Sequence, residues 1–210
     1  MIEVAVVDSG INAAHPLLRG KVTVVNGPDF LSSAAAAVPG DGEDRLGHGT
    51  AVAATLLRAA QRDDLSLLSL RVFDREPVCD FAAVLRAMAY AIDAGVRVVN
   101  LSLGTTSLRH RAQLQQLLEQ ARSRGVRIVA PASYGGLSCD PGNLPGVEAV
   151  VGDPNVLPTL PELRRCGERF VWFASPLPPP DPDGIRRLLA RGDSLAVAVV
   201  TGCLLRSLPR

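Results

Sequence analysis

The chain has 210 residues, of which 47% are hydrophobic and 20% are charged, and its formal net charge is +1. This length fits one globular domain, 1–210, with a sizeable core. A net charge this small gives no electrostatic reason to expect nucleic acid or a membrane as partner. The chain begins without a basic segment followed by a long apolar run, so we expect no secretory signal, no membrane span and a cytoplasmic location.

The four cysteines are widely separated in the sequence, at Cys79, Cys139, Cys166 and Cys203. None of them forms a Cys-x-x-Cys pair of the kind that binds zinc, and we predict neither a metal nor a cofactor. In a chain without a secretory signal, they are expected to be reduced and partly buried. The sequence also lacks the Gly-x-Gly-x-x-Gly and Gly-Lys-Ser/Thr loops that hold nucleotides, which argues against a dinucleotide-dependent oxidoreductase.

Strand-like and helix-like segments alternate along the chain. In its first half, apolar patterning predicts strands at 3–8 and 21–25, a mobile surface loop at 31–43, a helix at 51–62, a strand within 65–73 and a helix at 81–94. In its second half, we predict a strand at 96–104, a helix at 109–124, strands at 126–130 and 147–151, a loop at 135–146, a strand at 170–174, a loop at 176–183, a helical turn at 184–189 and a helix at 193–205. The proline-rich segment 154–168 shows no recognisable period. The alternation predicts a doubly wound, mostly parallel α/β sheet with helices on both faces.

Three polar residues stand where elements of this sheet begin or end. Asp8 ends the first strand, at the edge where α/β sheets form their sites, although an aspartate there also suits an ordinary turn. His48 lies between two glycines at the start of a helix, which lets backbone or ligand approach its ring closely. Ser194 precedes an apolar helix, where a serine is either an N-cap or a nucleophile whose developing charge faces unpaired N–H groups.

The segments around these residues carry a family resemblance. Asp8-Ser9-Gly10, Gly47-His48-Gly49-Thr50 and Gly192-Asp193-Ser194-Leu195-Ala196 occur in the order Asp, His, Ser. In this order and context the chain, from Val4 to Gly202, resembles the subtilisin-like serine proteases, or subtilases. The resemblance implies that Ser194 is the nucleophile, His48 the general base and then acid, and Asp8 the carboxylate that orients His48.

The resemblance also implies a peptide-binding cleft. Segment 98–104 is similar to the substrate-binding strand of the family, so the main chain of Ser102, Leu103 and Gly104 would pair with an extended peptide. Segment 77–79 matches the opposite edge of that cleft, where Cys79 is either a cleft-lining thiol or a small apolar residue. Pro131, Ala132 and Ser133 would form one wall of the principal specificity pocket, and their small size suggests a pocket without strong charge.

Several positions depart from the family pattern. Tyr134 falls where subtilases usually carry the asparagine of the oxyanion hole. The Ser194 N–H would remain as a donor, and the hydroxyl of Tyr134 or Ser133 would have to replace the other. Asp193 places a carboxylate beside the nucleophile, and we expect it to cap the last helix instead of facing the oxyanion.

The chain is also shorter than the catalytic domain of the family, as if truncated at both ends. The short link 61–64 leaves no room for the calcium-binding loop that many subtilases insert there. A shortened domain would leave apolar surface uncovered, so we expect a homodimer or a partner protein over the truncated edge.

These observations lead to a main hypothesis and two alternatives. The main hypothesis is a serine endopeptidase that cleaves a peptide or protein substrate, such as a dedicated intracellular protease that matures a ribosomally made peptide. The first alternative, favoured by Tyr134 and by the short chain, is a non-catalytic subtilase-like subunit that binds peptide or scaffolds a partner enzyme. The second is an esterase that uses the same three residues.

Overall fold

The computed structural model describes residues 3–31, 38–179 and 192–208. Its helices are α1 (His48–Ala60), α2 (Phe81–Asp93), α3 (Arg111–Ser123) and α4 (Asp193–Ser207), and a short 3-10 turn, Leu108–His110, precedes α3. Its strands are β1 (Val4–Asp8), β2 (Thr23–Asp29), β3 (Val38–Pro39), β4 (Ser66–Arg71), β5 (Val98–Leu101), β6 (Arg127–Pro131), β7 (Ser133–Tyr134), β8 (Leu137–Ser138), β9 (Val147–Gly152), β10 (Glu162–Cys166) and β11 (Arg169–Ala174). The helical turn predicted at 184–189 lies outside the described residues.

Most of the strands form one sheet in the order β10-β11-β9-β6-β5-β1-β4-β2-β3. Every neighbouring pair from β11 to β2 is parallel, and only the edge strands β10 and β3 run antiparallel to their neighbours. The prediction of a doubly wound, mostly parallel sheet is therefore confirmed. Parallel strands align their carboxyl ends at one edge, so loops that follow different strands meet there.

Both faces of this sheet are buried. In β1, Val4 and Val6 join the core beneath α1 and α4, whereas Ala5 and Val7 join the core beneath α2 and α3. Successive side chains of a strand point to opposite faces, so a continuous apolar run is what a strand covered on both sides requires. This run favours a central position for β1 in the sheet. The last residue of the strand, Asp8, therefore lies at the carboxyl edge of the sheet.

Helices α1 and α4 approach each other closely at Gly202. A Cβ atom at this position would lie 2.4 Å from the carbonyl oxygen of Leu56 in α1. Such a distance is far inside van der Waals contact, so only glycine allows the two helices to pack at this separation. The helices that begin at His48 and at Asp193 are thereby held against the same face of the sheet.

The structure differs from the sequence-based expectation at four elements. Strand β10 lies in the segment 154–168, for which no element was predicted. A polar edge strand that is paired on one side has no apolar run, so the sequence pattern does not indicate it. The 31–43 loop contains β3, which pairs with β2, and residues 32–37 are outside the described part. The 135–146 loop contributes β8 to a small hairpin with β7. Helix α1 begins at His48, three residues before the predicted start.

Exposed apolar side chains cluster in sequence around β10 and β11. Leu157, Leu160, Leu163 and Phe170 are each at least half exposed. The predicted homodimer or partner protein over uncovered apolar surface stays a prediction.

Among the described residues, no helix has the length and apolar character needed to cross a membrane. The four cysteines are free, and Cys139 is buried whereas Cys166 is exposed.

Candidate active site

Asp8 and His48 meet at the carboxyl edge of the sheet. Asp8 is the last residue of β1, and His48 is the first residue of α1. The Nδ1 atom of His48 lies 2.7 Å from Oδ1 of Asp8, and the side chains are 31% and 1% exposed, respectively. A carboxylate that accepts from Nδ1–H leaves the lone pair on Nε2, so the imidazole can accept a proton at Nε2.

A second carboxylate, Asp44, connects β1 to the first turn of α1. Its Oδ1 accepts hydrogen bonds from the Ser9 hydroxyl and from the N–H of Gly47, each at 2.7 Å. Its Oδ2 accepts from both the N–H and the hydroxyl of Thr50. The N–H of Gly49 in turn donates to the Ser9 hydroxyl at 2.9 Å. Asp44 therefore fixes the residues that flank both Asp8 and His48.

The electrostatic environment of His48 favours its protonated form. Burial by itself would lower the pKa of the imidazole, because it removes water from the charged ring. The hydrogen bond to Asp8 and the negative charges of Asp8 and Asp44 outweigh burial, so the pKa of His48 is raised from its ordinary value of 6.5. The other carboxylate oxygen of Asp8, Oδ2, is buried and has no hydrogen-bond partner among the described residues.

The two glycines that flank His48 serve different purposes. Gly47 has φ = 78°, a left-handed conformation that favours glycine, while a Cβ atom there would meet nothing within 4 Å. A Cβ atom on Gly49 would lie 2.1 Å from the carbonyl oxygen of Gly10 and 3.2 Å from Cβ of Asp8. Gly49 is thus required for the close approach of α1 to the end of β1.

Ser194 lies in the first turn of α4, after Gly192 as N-cap. Its hydroxyl donates to the carbonyl oxygen of Ser102 at 3.1 Å, and not to His48. Ser194 and His48 border the same cavity, whose volume is about 580 Å³. The structure thus brings Asp8, His48 and Ser194 to one edge of the sheet, with the serine hydroxyl on a carbonyl of the loop after β5.

A buried polar chain ends at the side-chain hydroxyl of the same residue, Ser102. The Thr201 hydroxyl of α4 donates to Oδ1 of Asn100 at 2.8 Å, and Nδ2 of Asn100 donates to the Ser102 hydroxyl at 2.9 Å. Thr201 and Asn100 are fully buried. Sequence reasoning missed these two residues, as it missed Asp44. A polar side chain within an apolar strand or helix, as at Asn100 and Thr201, is the signal that could have indicated them.

Most of the predicted substrate-binding residues border the cavity. Ser102, Leu103 and Gly104 form one side, and Pro131 and Tyr134 lie on another. The predicted opposite edge contributes Pro77 and Cys79, joined by Phe73 and Phe81. Burial and the charge of Asp80 raise the pKa of the Cys79 thiol to about 11, so Cys79 lines the cleft as a neutral group. Ala132 is buried and donates its N–H to the carbonyl of Val150.

The candidate oxyanion donors lie on the hairpin after β6. Tyr134 is 71% exposed in β7 and borders the cavity, and Ser133 is half-buried in the same strand. Their roles as hydroxyl donors, like that of the Ser194 N–H, stay predictions. Among the described residues, no group of three or more His, Cys, Asp or Glu side chains is arranged to hold a metal ion.

Asp193 does not cap the last helix, and the sequence-based expectation was wrong here. Helix α4 has Gly192 as N-cap, with no side-chain capping hydrogen bond, and Asp193 is its first residue. The carboxylate instead accepts from the N–H of Gly152 at the end of β9, and it borders the cavity. Burial raises the pKa of Asp193, and the hydrogen bond from Gly152 opposes that shift.

This sheet, with Asp, His and Ser in that chain order at its carboxyl edge, defines the subtilisin-like class of α/β proteins. The model of the Subtilase family matches residues 1–143, a range that contains Asp8 and His48 and ends before Ser194. The chain therefore belongs to the subtilase family.

Individual relatives agree with this assignment. The chain is 34% identical to thermitase from Thermoactinomyces vulgaris over 137 residues, which cover 64% of this chain and 48% of thermitase. The chain spans about half or less of the length of the first curated relatives it matches. Among solved structures, a lanthipeptide protease superposes with a TM-score of 0.67 at 23% identity, covering 96% of this chain and 71% of that one. The nisin leader peptidase of Lactococcus lactis superposes with a TM-score of 0.69 at 18% identity, covering 97% of this chain and 76% of that one.

Proposed function

We propose that the chain is a serine endopeptidase that cleaves peptide or protein substrates through Asp8, His48 and Ser194. The observation that carries this proposal is the 2.7 Å contact between His48 Nδ1 and Asp8, in a cavity that Ser194 also borders. A serine hydroxyl is a weak nucleophile until a neutral imidazole accepts its proton. The hydrogen bond between His48 Nδ1 and the buried Asp8 carboxylate would hold the neutral imidazole in the tautomer that this step needs.

In the proposed reaction, the Ser194 hydroxyl turns from the Ser102 carbonyl toward His48. Its oxygen attacks the scissile carbonyl carbon as its proton moves to Nε2 of His48. The imidazolium, stabilised by Asp8, then gives this proton to the departing amine, and an acyl-enzyme remains on Ser194. Water completes the cycle by the same proton transfers: its proton passes to His48, its oxygen takes the acyl group, and the Ser194 hydroxyl is restored.

The oxyanion formed in each step needs two hydrogen-bond donors, and we propose the Ser194 N–H as the first. Ser194 lies in the first turn of α4, where backbone N–H groups have no acceptor within the helix and negative charge is favoured. We propose the Tyr134 or Ser133 hydroxyl as the second donor, in place of the family's asparagine. One lost donor is worth about 2.7–4 kcal/mol in the transition state, so an incomplete oxyanion hole would make a slow enzyme.

Maturation of a ribosomally made peptide is the substrate class we favour. Two solved structures that share this fold are named for such work, a lanthipeptide protease and a nisin leader peptidase. Their identities to this chain are low, so the argument from them concerns the kind of substrate alone. The cavity is bordered by Ser102, Leu103 and Gly104, whose main chain would pair with an extended peptide as an added strand.

A non-catalytic peptide-binding subunit is the alternative that one observation favours. The Ser194 hydroxyl is occupied by the Ser102 carbonyl, and Tyr134 stands at the asparagine position. A protein with these features would retain the cleft and bind peptide without turnover. An esterase would use the same three residues and would hydrolyse small esters but no peptide bond.

Labelling with a fluorophosphonate probe tests the proposal. We expect the wild-type chain to be labelled at Ser194, and labelling to vanish in both Ser194→Ala and His48→Ala. Ser123→Ala, which removes an exposed hydroxyl at the end of α3, is the matched control and should be labelled normally. An unlabelled wild type that still binds peptide would replace the enzyme proposal with the binding subunit. Hydrolysis of small esters with no peptide cleavage would establish the esterase.

A further inference from the structure

Asp193 places a carboxylate in the wall of the cavity, next to the candidate nucleophile. It is half-buried, and it is the only Asp or Glu among the described residues that border the cavity. No Lys or Arg of the described chain borders this cavity either. The small size of Pro131, Ala132 and Ser133 predicts a pocket without strong charge, and Asp193 adds one carboxylate to the cavity that Pro131 borders.

The carboxylate is held in a fixed position by the sheet. It accepts from the N–H of Gly152, and a Cβ atom on Gly152 would lie 2.2 Å from Oδ1 of Asp193. A side chain at the end of β9 would have to displace the carboxylate, so glycine at this position permits the observed contact. A charge held by such contacts is prepared for a ligand without further ordering of the side chain.

Its neighbours locate the carboxylate on a particular side of the cavity. Cys139 lies close enough for the charge of Asp193 to contribute, after burial and Asp140, to raising the pKa of its thiol to about 11. The Cys139 thiol donates to the carbonyl of Pro131 at 3.2 Å, and a Cβ on Gly104 would lie 2.6 Å from this sulfur. Gly152, the donor to Asp193, ends β9, and the neighbouring β6 ends at Pro131, which pairs with Val150 and borders the cavity. Asp193 thus belongs to the side of the cavity formed by Pro131. On the proposed function, this is the pocket for the side chain that precedes the scissile bond.

Within residues 3–31, 38–179 and 192–208, the carboxylate of Asp193 has no cationic partner. No ion pair is formed by this carboxylate within the described residues, in contrast to Asp153 close by, which pairs with Arg164. A half-buried carboxylate without a counter-ion is unfavourable, and burial accordingly raises its pKa. A cation brought by a ligand would restore the charge balance, with a charge-assisted hydrogen bond as the contact.

We propose that Asp193 is a specificity-determining residue that selects peptides with an arginine or lysine side chain directly before the cleaved bond. This inference rests on the proposed function for the position of the bond, and it concerns binding as well as turnover. A hydrogen bond to a charged group makes an arginine substrate about 10- to 100-fold better than a neutral isostere.

A binding measurement on Ser194→Ala tests this inference without requiring turnover. Two fluorescein-labelled octapeptides, identical except for arginine or citrulline at the fourth position, are titrated with the protein and followed by anisotropy. Citrulline has nearly the shape of arginine but no charge. We expect the arginine peptide to bind about 10- to 100-fold more tightly, and Ser194→Ala with Asp193→Asn to bind both peptides equally. A lysine and norleucine pair should show the same contrast.

Matched variants separate charge selection from general damage. Asp193→Asn keeps an oxygen that can accept from Gly152, and Asp193→Glu keeps the charge, so thermal melting shows whether either fails to fold. Asp63→Asn removes one exposed carboxylate outside the cavity and should keep the arginine preference. Equal binding of the two peptides by Ser194→Ala, or no binding of either, would overturn the inference. An arginine preference in a protein whose Ser194 is not labelled by fluorophosphonate would sustain the selection of a basic side chain by Asp193, and it would refute the endopeptidase proposal together with the position relative to a cleaved bond.

Discussion

The hydroxyl of Ser194 donates to the carbonyl oxygen of Ser102, 3.1 Å away, across the gap between α4 and the loop after β5. The same two elements are joined below this contact by Thr201, Asn100 and the Ser102 hydroxyl. The loop that is predicted to bind peptide and the helix that carries the candidate nucleophile are therefore coupled through buried hydrogen bonds. In a buried site such a chain is strong only when every member is satisfied.

Thr201→Val tests the weight of this chain. Valine has the shape of threonine without the hydroxyl, so Oδ1 of the buried Asn100 loses its donor. An unsatisfied buried acceptor costs about 1–3 kcal/mol, and we expect the free energy of unfolding to fall by that amount. Chemical denaturation measures it. Because the chain ends at Ser102, we also expect lower turnover in the folded variant.

The control for this prediction is Thr55→Val in α1. Thr55 is equally buried, but its hydroxyl donates to the Ala51 carbonyl of its own helix, where the backbone already provides a partner. We expect Thr55→Val to lower the free energy of unfolding less than Thr201→Val does, and to leave turnover unchanged. Equal losses in both variants would mean that the link between Asn100 and Thr201 has no special role.

The sequence allowed the scaffold to be predicted because its signal is strong. The apolar run of β1 could be recognised as a strand buried on both faces, and the spacing of α2 as a helix capped by Asp80, whose side chain accepts from Ala82. Strand β10 could not be predicted, because its residues are mostly charged and show no apolar pattern. It is a strand because it pairs with β11 at the edge of the sheet, and the local sequence does not reveal this pairing.

The candidate site was predictable only where motifs carry it. Asp8, His48 and Ser194 are marked by the segments around them, and the structure brings them to one edge of the sheet. The partners of these residues depend on contacts between elements distant in sequence, as Asp44 with Ser9 and Asn100 with Thr201 show. The misplaced expectation for Asp193 has the same cause: helix-capping preference is local, whereas its actual donor, Gly152, belongs to another strand.

The protonation of His48 predicts how activity depends on pH. A general base must be neutral, so activity rises as the pH passes the pKa of the imidazole. Since Asp8 and Asp44 raise this pKa, we expect the midpoint of the rise in kcat/KM above 6.5. Asp44→Asn removes one of the two charges and should move the midpoint down, toward 6.5. The titration of His48 followed by NMR, assigned with His48→Ala, gives the same shift without any substrate.

Asp41→Asn is the matched control for Asp44. Asp41 is an exposed carboxylate of the same loop that pairs with Arg45, and it does not act on His48. Its substitution changes the net charge equally and should leave the titration of His48 in place. A midpoint that moves as far in Asp41→Asn as in Asp44→Asn would contradict a local origin of the shift.

Gly49→Ala should damage the site more than Gly47→Ala, because only the first creates a collision. The alanine Cβ at 49 would lie 2.1 Å from the Gly10 carbonyl, so α1 or the end of β1 must move, and with it the contact between His48 and Asp8. Gly47→Ala places its Cβ in open space and costs only the strain of the left-handed backbone conformation, about 1–2 kcal/mol.

Overpacking at Gly49 costs a similar amount, about 1–3 kcal/mol, so stability alone does not separate the variants. Turnover does: a misplacement on the order of 1 Å lowers turnover about 10²-fold. We therefore expect kcat, corrected for the folded fraction, to fall strongly in Gly49→Ala and little in Gly47→Ala, and equal losses would argue that His48 does not depend on this close approach.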